Sequence, residues 1–321
     1  MKRQKDIMAT VCVVTYNQEN WIRQTLDSIL AQQTEYPFEV IIGEDHGTDG
    51  TRAICQEYAD KFDNVTLLPL IENLGVTANW VRCVQAGKGK YIMTCAGDDW
   101  WHDPNKIQLQ VDFMEAHPEC CLSHTDINEY REDTGRTISN LNAATGLVPP
   151  EGRIQQYVLR GQDGISALSS CIRADVLKMY VPLDEFAKRK FPREDWPTYL
   201  VISAYGDILY QPESTATYRV GQESITRTSN YSKLIARAQQ DLEMTEYLYS
   251  LLPNLGPFKD KPYFESIGYH NALLAAYRND DYKSAHEFAK NDKLGRLATT
   301  MAHTWITFKL FRWIQQKRRK L

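Results

Sequence analysis

Two adjacent carboxylates, Asp98 and Asp99, stand where they could hold a divalent cation. They follow the apolar run 91–95 and the small residues Ala96 and Gly97, so we expect them just after a strand. Ligands bind at the carboxyl ends of strands in open α/β sheets, and one or two carboxylates there suit Mg²⁺ or Mn²⁺ shared with phosphates. The alternative is a solvated turn that caps the next helix.

A second acidic pair, Glu194 and Asp195, could supply a general base. The pair precedes Trp196 and a helix-like apolar run at 198–204. One positioned carboxylate is enough to deprotonate an attacking hydroxyl. The alternative is that the pair only caps the following helix.

Strand and helix patterns alternate with short connections through about residue 121. Apolar, β-branched runs predict strands at 9–15, 39–42, 65–68 and 91–95, and helical spacing separates them at about 22–30, 54–62 and 77–85. This alternation predicts an α/β fold with a mostly parallel central sheet flanked by helices. The loops after the strands should then meet at one edge, where Tyr16-Asn17, Glu44-Asp45 and Asp98-Asp99 would line a common crevice.

The remaining chain is less regular. Further strands are expected at 120–125, 165–172, 208–210 and 214–220, with a variable loop or β-excursion at about 128–150. Apolar residues recur at helical spacing from about residue 231, which indicates a helical C-terminal region at 231–321. Its end, 305–321, is aromatic and basic without one acid. That tail could dock on an anionic membrane surface, or bind a partner, or simply be solvated.

Composition narrows the class of protein. A chain of 321 residues with 43% hydrophobic and 24% charged residues is typical of a globular protein, and a net charge of −4 gives no reason to expect nucleic acid. The seven cysteines are odd in number and scattered, which favours buried thiols in a reducing compartment. Zinc spacings, a signal-peptide core and a membrane-length apolar run are not found. We therefore expect a cytoplasmic protein.

The crevice chemistry suits a nucleoside diphosphate attached to a sugar. Asp45 could accept a hydrogen bond from a pyrimidine imide N–H, and Asp98, with or without Asp99, could hold a cation that neutralises the diphosphate. A neutralised diphosphate is a good leaving group and needs no general acid. Asp195 or Glu194 would then serve as the base for the acceptor hydroxyl.

An ordered set of segments resembles family 2 glycosyltransferases. Residues 11–17 and 44–51 resemble the opening segments of that family. Its later motifs are resembled by 73–75, by 96–101 with Pro104 and Lys106, and by 194–196. Residues 218–220 resemble the arginine-containing strand of its polysaccharide and lipopolysaccharide members. The resemblance covers about 7–225. It implies a GT-A fold, an inverting single displacement and a nucleotide-sugar donor.

The resemblance also implies roles for individual residues. The implied donor contacts are Thr15, Tyr16, Asn17, Glu44, Asp45, Asn73, Asp98 and Asp99; the metal ligands are Asp98 and Asp99; the base is Asp195, beside Glu194; and the sugar or acceptor wall is Trp100, Trp101 and Trp196. Two positions depart from the family. Ala96 replaces its usual acid, and Gly221-Gln222 stand where some members have a metal-binding histidine.

The sequence therefore predicts an inverting, metal-assisted glycosyltransferase that moves a sugar to a hydroxyl of a glycan or lipid-linked acceptor. The expected donor is a UDP-sugar. The expected domains are 1–230, with a nucleotide-sugar half at about 7–126 and an acceptor half at about 127–230, followed by 231–321. The expected location is the cytoplasm, including the inner face of the membrane. A catalytically degenerate nucleotide-sugar binder or scaffold is the alternative, which Ala96 favours. A nucleotidyltransferase would need a glycine-rich phosphate loop, which residues 16–19 lack.

Overall fold

The computed structural model of the chain describes residues 6–221 and 230–318. The chain divides into two compact units, Met1–Gln222 and Glu223–Leu321. The assignment of a donor half and an acceptor half within the first unit stays a prediction.

The first unit is built on one mixed sheet. Its strands are β1 (Ala9–Thr15), β2 (Phe38–Glu44), β3 (Val65–Leu67), β4 (Tyr91–Ala96), β5 (Trp100–Trp101), β6 (Cys120–Arg131), β7 (Arg136–Ile138), β8 (Ser170–Arg173) and β9 (Asp207–Val220). They lie in the order β3-β2-β1-β4-β8-β6-β9-β5, with β7 paired to β6. β1 to β4 are mutually parallel, β8 runs antiparallel to β4 and β6, and β9 runs parallel to β6 and antiparallel to β5.

Helices cover this sheet, as expected for an α/β fold. They are α1 (Ile22–Leu30), α2 (Thr51–Lys61), α3 (Val76–Ala86), α4 (Lys106–Ala116), α5 (Leu141–Thr145), α6 (Gln155–Leu159), α7 (Ala174–Tyr180), α8 (Leu183–Lys188) and α9 (Asp195–Ile202). α1 shows why the early elements form where the sequence predicts them. Its apolar residues Ile22, Leu26 and Ile29 share one face and are fully buried in the core that contains Val11 and Val13 of β1.

The strand register brings the predicted crevice loops to one edge. Thr15 at the end of β1 pairs with Glu44 at the end of β2, and Val14 pairs with Ala96 at the end of β4. All three strands therefore end within one residue of each other. The loops that begin at Tyr16, Asp45 and Gly97 start side by side.

Three predicted strands differ in the acceptor half. The segments 208–210 and 214–220 form one strand, β9, because β6 continues to Arg131 beside it and register shifts at Thr125 to Ile127 absorb the irregularity around Pro212. The predicted strand at 165–172 was wrong in its first part, where Ala167–Ser169 form a 3₁₀ turn before β8. The hydroxyls of Ser169 and Ser170 donate to the carbonyls of Ser166 and Ala167, which stabilises that turn.

The second unit is helical, as the apolar spacing predicts. Its helices are α10 (Tyr231–Leu251), α11 (Lys261–Arg278), α12 (Tyr282–Ala289), α13 (Arg296–Met301) and α14 (Trp305–Arg318). Phe308 and Phe311 of α14 stack against Tyr277 of α11 in its core. Among the helices of the described ranges, none has both the length and the apolar character to cross a membrane.

One buried histidine should make the first unit sensitive to acid. His124 on β6 is fully buried against Tyr210, and neither ring nitrogen bonds to any residue in the described part of the chain. Burial, with a smaller effect from the Lys106 charge, lowers its pKa to about 3. An unfolded histidine binds a proton below about pH 6.5, so stability is lost as the pH falls from there towards 3.

We expect His124→Phe to reduce this acid sensitivity. In wild type, His124 makes the free energy of unfolding fall by up to about 1.4 kcal/mol for each pH unit of acidification, and the variant lacks this effect. Urea unfolding at several pH values between 7.5 and 4 measures it, with His117→Gln, at a partly exposed histidine, as control. If the free energy of unfolding depended on pH in the same way in wild type and His124→Phe, buried His124 would not be the cause of the acid sensitivity.

Candidate active site

The loop after β2 holds the loop before α3. Asp45 is buried, and its Oδ1 and Oδ2 accept the backbone N–H groups of Leu74 (2.8 Å) and Gly75 (2.9 Å). The Asn73 side chain donates to the Asp45 carbonyl at 2.8 Å, and the Asp45 N–H donates to the Thr15 carbonyl at 3.0 Å. Thr15, Asp45 and Asn73, three of the predicted donor contacts, therefore lie together.

The loops after β1 and β2 are also fixed to each other. Asn17 adopts a φ of 54°, in the left-handed region that asparagine tolerates, and its Oδ1 accepts the Thr48 N–H at 2.7 Å. Glu44 is buried, accepts the Gly47 N–H, and lies 3.7 Å from the Arg52 guanidinium. The predicted donor residues thus form a preorganised edge, on which the Tyr16 ring is 49% exposed.

The Asp98-Asp99 turn fits closely against β1. A Cβ atom on Gly97 would lie 2.5 Å from both Thr15 Oγ1 and Gln18 Oε1, so only glycine permits this approach. The Thr25 hydroxyl donates to the carbonyl of Asp99 at 2.6 Å, which fixes the turn from the other side.

Arg219 on β9 forms hydrogen bonds to the same turn. Its backbone N–H donates to Asp99 Oδ1 at 2.8 Å, and its Nε donates to the Asp98 carbonyl at 2.8 Å. Its two remaining nitrogens donate to Glu132 (3.2 Å) and Gln24 (2.6 Å). The sequence marked this arginine as part of a family-like strand but gave it no role. Only the pairing of β5 with β9 shows which residues it meets.

Arg219 opposes a large electrostatic cost. Burial raises the pKa of Asp98, and burial together with the Asp98 charge raises the pKa of Asp99 well above its usual range. The guanidinium lowers both values, and Gln18 further stabilises the Asp98 carboxylate through a hydrogen bond. The turn therefore holds two carboxyl groups whose ionised forms call for positive charge.

A phosphate-bound divalent cation fits this turn. Across the described ranges, no cluster of three or more His, Cys, Asp and Glu side chains is suited to hold a metal by itself. Asp99 Oδ1 is taken by the Arg219 N–H, which leaves Asp98 as the principal carboxylate and Asp99 in support. Mg²⁺ needs only one or two protein carboxylates when phosphates and water complete its shell.

The two tryptophans that follow the turn have different surroundings. The Trp100 ring is half-buried and faces the Arg219 guanidinium at 4.8 Å, with Tyr130 at its edge. Trp101 is 3% exposed and packs in the core beneath the buried Lys106. The prediction that Trp101 forms a wall of the site is therefore corrected, because its ring has almost no surface to offer a sugar.

The second acidic pair lies at the start of α9. Asp195 is the first residue of the helix, Glu194 precedes it, and Asp195 Oδ1 accepts the Trp196 N–H at 2.7 Å. The Trp196 indole N–H donates to the Val158 carbonyl at 2.7 Å, which fixes the helix start to α6.

A small cavity connects this pair to the sheet. It is lined by Glu194, Asp195, Thr198 and Tyr199 on one side and by Thr94 and Ser170 on the other. Because Thr94 belongs to β4, Asp195 lies beside the same strand that leads into the Asp98-Asp99 turn.

Comparisons with known proteins point to one family. Residues 10–178, more than half of the chain, match the family model of glycosyl transferase family 2. The protein Rv1520 of Mycobacterium tuberculosis is 32% identical over 213 residues, which cover 65% of this chain and 58% of that protein. A putative teichuronic acid biosynthesis glycosyltransferase, TuaG of Bacillus subtilis, is 29% identical over 126 residues, which cover 39% of this chain and 49% of TuaG.

Solved structures share the fold at low sequence identity. Residues 1–349 of S. aureus TarS, in complex with UDP-GlcNAc, align with a TM-score of 0.50 at 17% identity, covering 98% of this chain and 92% of that TarS fragment. The mannosyltransferase PcManGT of Pyrobaculum calidifontis, in complex with GDP-Man and Mn²⁺, aligns with a TM-score of 0.53 at 18% identity, covering 97% of this chain and 88% of that chain. The common architecture is the GT-A fold that the sequence predicts.

Replacing Arg219 by lysine should loosen the Asp98-Asp99 turn. Lysine carries one charged nitrogen on a flexible chain and cannot reach Asp98, Glu132 and Gln24 together. We expect the affinity for UDP with Mg²⁺ to fall at least about tenfold and the free energy of unfolding to fall by more than about 1 kcal/mol. Calorimetric titration and urea unfolding measure both quantities.

Arg131→Lys is the matched control, because the exposed Arg131 pairs with Glu129 of its own strand, β6, which is the neighbour of β9. The control should keep its UDP affinity within about twofold of wild type and its free energy of unfolding within about 0.5 kcal/mol, the range of neutral surface changes. If Arg219→Lys also stayed within these limits, Arg219 would not organise the turn.

Proposed function

The chain belongs to glycosyl transferase family 2, and from this we infer that it transfers a sugar from a nucleoside diphosphate, UDP in the first instance, to a hydroxyl of a glycan or lipid-linked acceptor. One observation carries the inference. The loops after β1, β2 and β4 meet at one edge, and Asp195 lies beside the same β4. A donor edge and a candidate base thus flank a single strand.

The proposed donor site divides between the loops. Thr15, Tyr16, Asn17, Glu44, Asp45 and Asn73 form the nucleoside side, and Asp98 with Asp99 forms the diphosphate side. Mg²⁺ or Mn²⁺, held by Asp98 and supported by Asp99, would neutralise the charge that develops on the leaving diphosphate. PcManGT, which was solved with GDP-Man and Mn²⁺, supports a divalent cation in this fold.

The proposed acceptor step uses Asp195. Its Oδ1 is held by the Trp196 N–H, so Oδ2 takes the proton from the acceptor hydroxyl. The acceptor oxygen forms a bond to the anomeric carbon as the bond from that carbon to the diphosphate breaks, which inverts the configuration. Trp100 is the aromatic surface at the donor turn that a sugar ring could contact.

Cell-surface glycan synthesis is the proposed setting. The relative TuaG carries a name from teichuronic acid biosynthesis, but this chain spans about half the length of the curated relatives it matches. All seven cysteines are buried thiols, which suits the reducing cytoplasm.

A degenerate donor-binding or scaffold protein is the second candidate. It is favoured by Ala96, which removes one acid from the turn. It predicts donor binding without transfer or donor hydrolysis across metals and acceptors.

Asp195→Asn tests the proposed base. Asparagine keeps the size and the Trp196 contact of Asp195 but cannot take a proton, so we expect transfer from a labelled UDP-sugar to fall by about 10²–10⁴-fold. UDP affinity should stay unchanged. Asp175→Asn is the control, because Asp175 likewise bonds the N–H of the next residue in the first turn of a helix, α7. Full transfer activity in Asp195→Asn would exclude this residue as the base.

Peripheral membrane contact is proposed for α14. Phe308 and Phe311 pack inward, whereas Trp305, Ile306 and Leu310 expose 58%, 75% and 49% of their surface. The sequence carries no Asp or Glu from residue 293 onward, and Lys309 and Arg312 of α14 both pair with the single carboxylate of Asp280, which leaves an excess of positive charge. Apolar side chains and excess positive charge together suit an anionic bilayer.

Ile306→Ser with Leu310→Ser should weaken binding to vesicles that contain anionic lipid. These substitutions spare the buried Phe308 and Phe311, which removal of residues 305–321 would not. We expect the floated fraction to fall at least about threefold on loss of this apolar area. Met179→Ser, at an exposed site in the first unit, is the control. Equal flotation of the double variant and wild type would defeat the proposal.

A further inference from the structure

We propose that a cavity at the end of the sheet opposite the donor edge is a second carbohydrate-binding site, which takes a neutral sugar residue of a glycan. Arg153, Tyr205 and Asp207 line this cavity and are the residues assigned to contact the sugar. The inference goes beyond the proposed function, because the cavity is remote from the Asp98-Asp99 turn and needs neither the donor nor a cation.

The cavity lies where β6 and β9 begin. Its volume is about 290 Å³, close to the lower end of the range for small-molecule sites, and Cys120 and Asp207, the first residues of the two strands, line it. Arg173, another lining residue, pairs with Tyr91 at the start of β4. The Asp98-Asp99 turn follows the other end of β4, so the length of that strand, roughly 20 Å, separates the cavity from the donor edge.

A stacked pair of exposed tyrosines forms the apolar side of the site. The ring of Tyr205 lies on the ring of Tyr180 at the end of α7, with centroids 3.8 Å apart and an angle of 10° between the planes. The two residues are 46% and 39% exposed. Val176, one helical turn before Tyr180, also lines the cavity. A flat aromatic ring suits contact with the C–H face of a sugar, and the stacking holds Tyr205 in place before a ligand binds.

A charged pair forms the polar side. Arg153 Nε donates to Asp207 Oδ1 at 2.9 Å, and Arg153 Nη1 donates to the Ala204 carbonyl at 3.1 Å. These bonds use one oxygen of the carboxylate, so Asp207 Oδ2 can still accept, and Arg153 Nη2 can still donate. A donor beside an acceptor matches two adjacent sugar hydroxyls, of which one accepts and the other donates.

The balance of charge at the cavity favours a neutral ligand. Two arginines, Arg153 and Arg173, and two carboxylates, Glu119 and Asp207, line it. The Arg173 guanidinium donates to three backbone carbonyls, which commits it to the wall of the cavity. Neither an anion nor a cation therefore meets an excess of opposite charge, whereas a polyhydroxylated ring can bond to both kinds of group.

The backbone that carries Tyr205 and Asp207 is fixed between them. A Cβ atom on Gly206 would lie 2.5 Å from the Cβ of Cys121, so glycine lets this segment lie directly on β6. Cys121 Sγ donates to the Asp207 carbonyl at 3.1 Å, and the Tyr205 N–H donates to the Ile202 carbonyl at 2.8 Å. The aromatic and polar sides of the site are thus preorganised.

Saturation-transfer NMR on the full chain, without nucleotide or metal, tests the site. The probes are the methyl glycosides of glucose, galactose, mannose and N-acetylglucosamine, with methyl phosphate as the anionic comparison. Tyr205→Ala removes the ring, Tyr205→Phe keeps it, and Asp207→Asn removes the charge at nearly constant shape. Tyr263→Ala, at an exposed tyrosine of the second unit, is the matched control. The thermal unfolding midpoint of each variant reports whether it is folded.

We expect wild type, Tyr205→Phe and Tyr263→Ala to bind at least one of the glycosides with equal affinity, and more tightly than methyl phosphate. The Kd for that glycoside should rise at least about threefold in Tyr205→Ala and in Asp207→Asn, on loss of the ring contact and of a hydrogen bond to a charged group.

Three results would overturn the assignment. They are the absence of glycoside binding by wild type, an unchanged Kd in both Tyr205→Ala and Asp207→Asn, and a preference of wild type for methyl phosphate, which would indicate an anion site at the arginines. Because the assay contains neither UDP nor a cation, each of these results would leave the proposed donor site standing.

Discussion

The site depends on holding two neighbouring carboxyl groups, Asp98 partly buried and Asp99 buried, just after the end of β4. Burial raises the pKa of both Asp98 and Asp99, the Asp98 charge further raises that of Asp99, and Arg219 opposes this effect. Arg219 comes from β9, more than one hundred residues later, and its N–H and Nε bond to both members of the pair. The long strand β9 and its pairing with β5 therefore support the proposed donor site as well as the sheet.

Close packing around β4 follows from the same constraint. Gly97 lets the turn approach β1, and Thr25 of α1 fixes the carbonyl of Asp99. On the other side of β4, Thr94 borders the cavity that contains Asp195. One strand thus sets the position of the carboxylates and of the candidate base, which is how a rigid sheet can serve a reaction between two substrates.

The sequence predicted well those elements that local pattern determines. β1 is nearly all apolar and β-branched because both of its faces are buried, and the amphipathic spacing of α1 matches its buried face. The meeting of the loops at Thr15, Asp45 and Asp98 follows from parallel strand order alone. Elements that depend on distant partners could not be read in this way. The union of two segments into β9 depends on β6, and the role of Arg219 depends on β5. Trp101 was misplaced because nothing local distinguishes it from Trp100, whereas Lys106 and the core bury only the second ring.

We propose that the Asp98-Asp99 turn holds the diphosphate of the donor through a divalent cation. Calorimetric titration of UDP with and without Mn²⁺, in wild type, Asp98→Asn and the nearby control Asp103→Asn, tests it most directly. We expect Mn²⁺ to raise UDP affinity at least about tenfold in wild type and in Asp103→Asn, and less than about twofold in Asp98→Asn. An undiminished effect of Mn²⁺ in Asp98→Asn, or none in wild type, would contradict it.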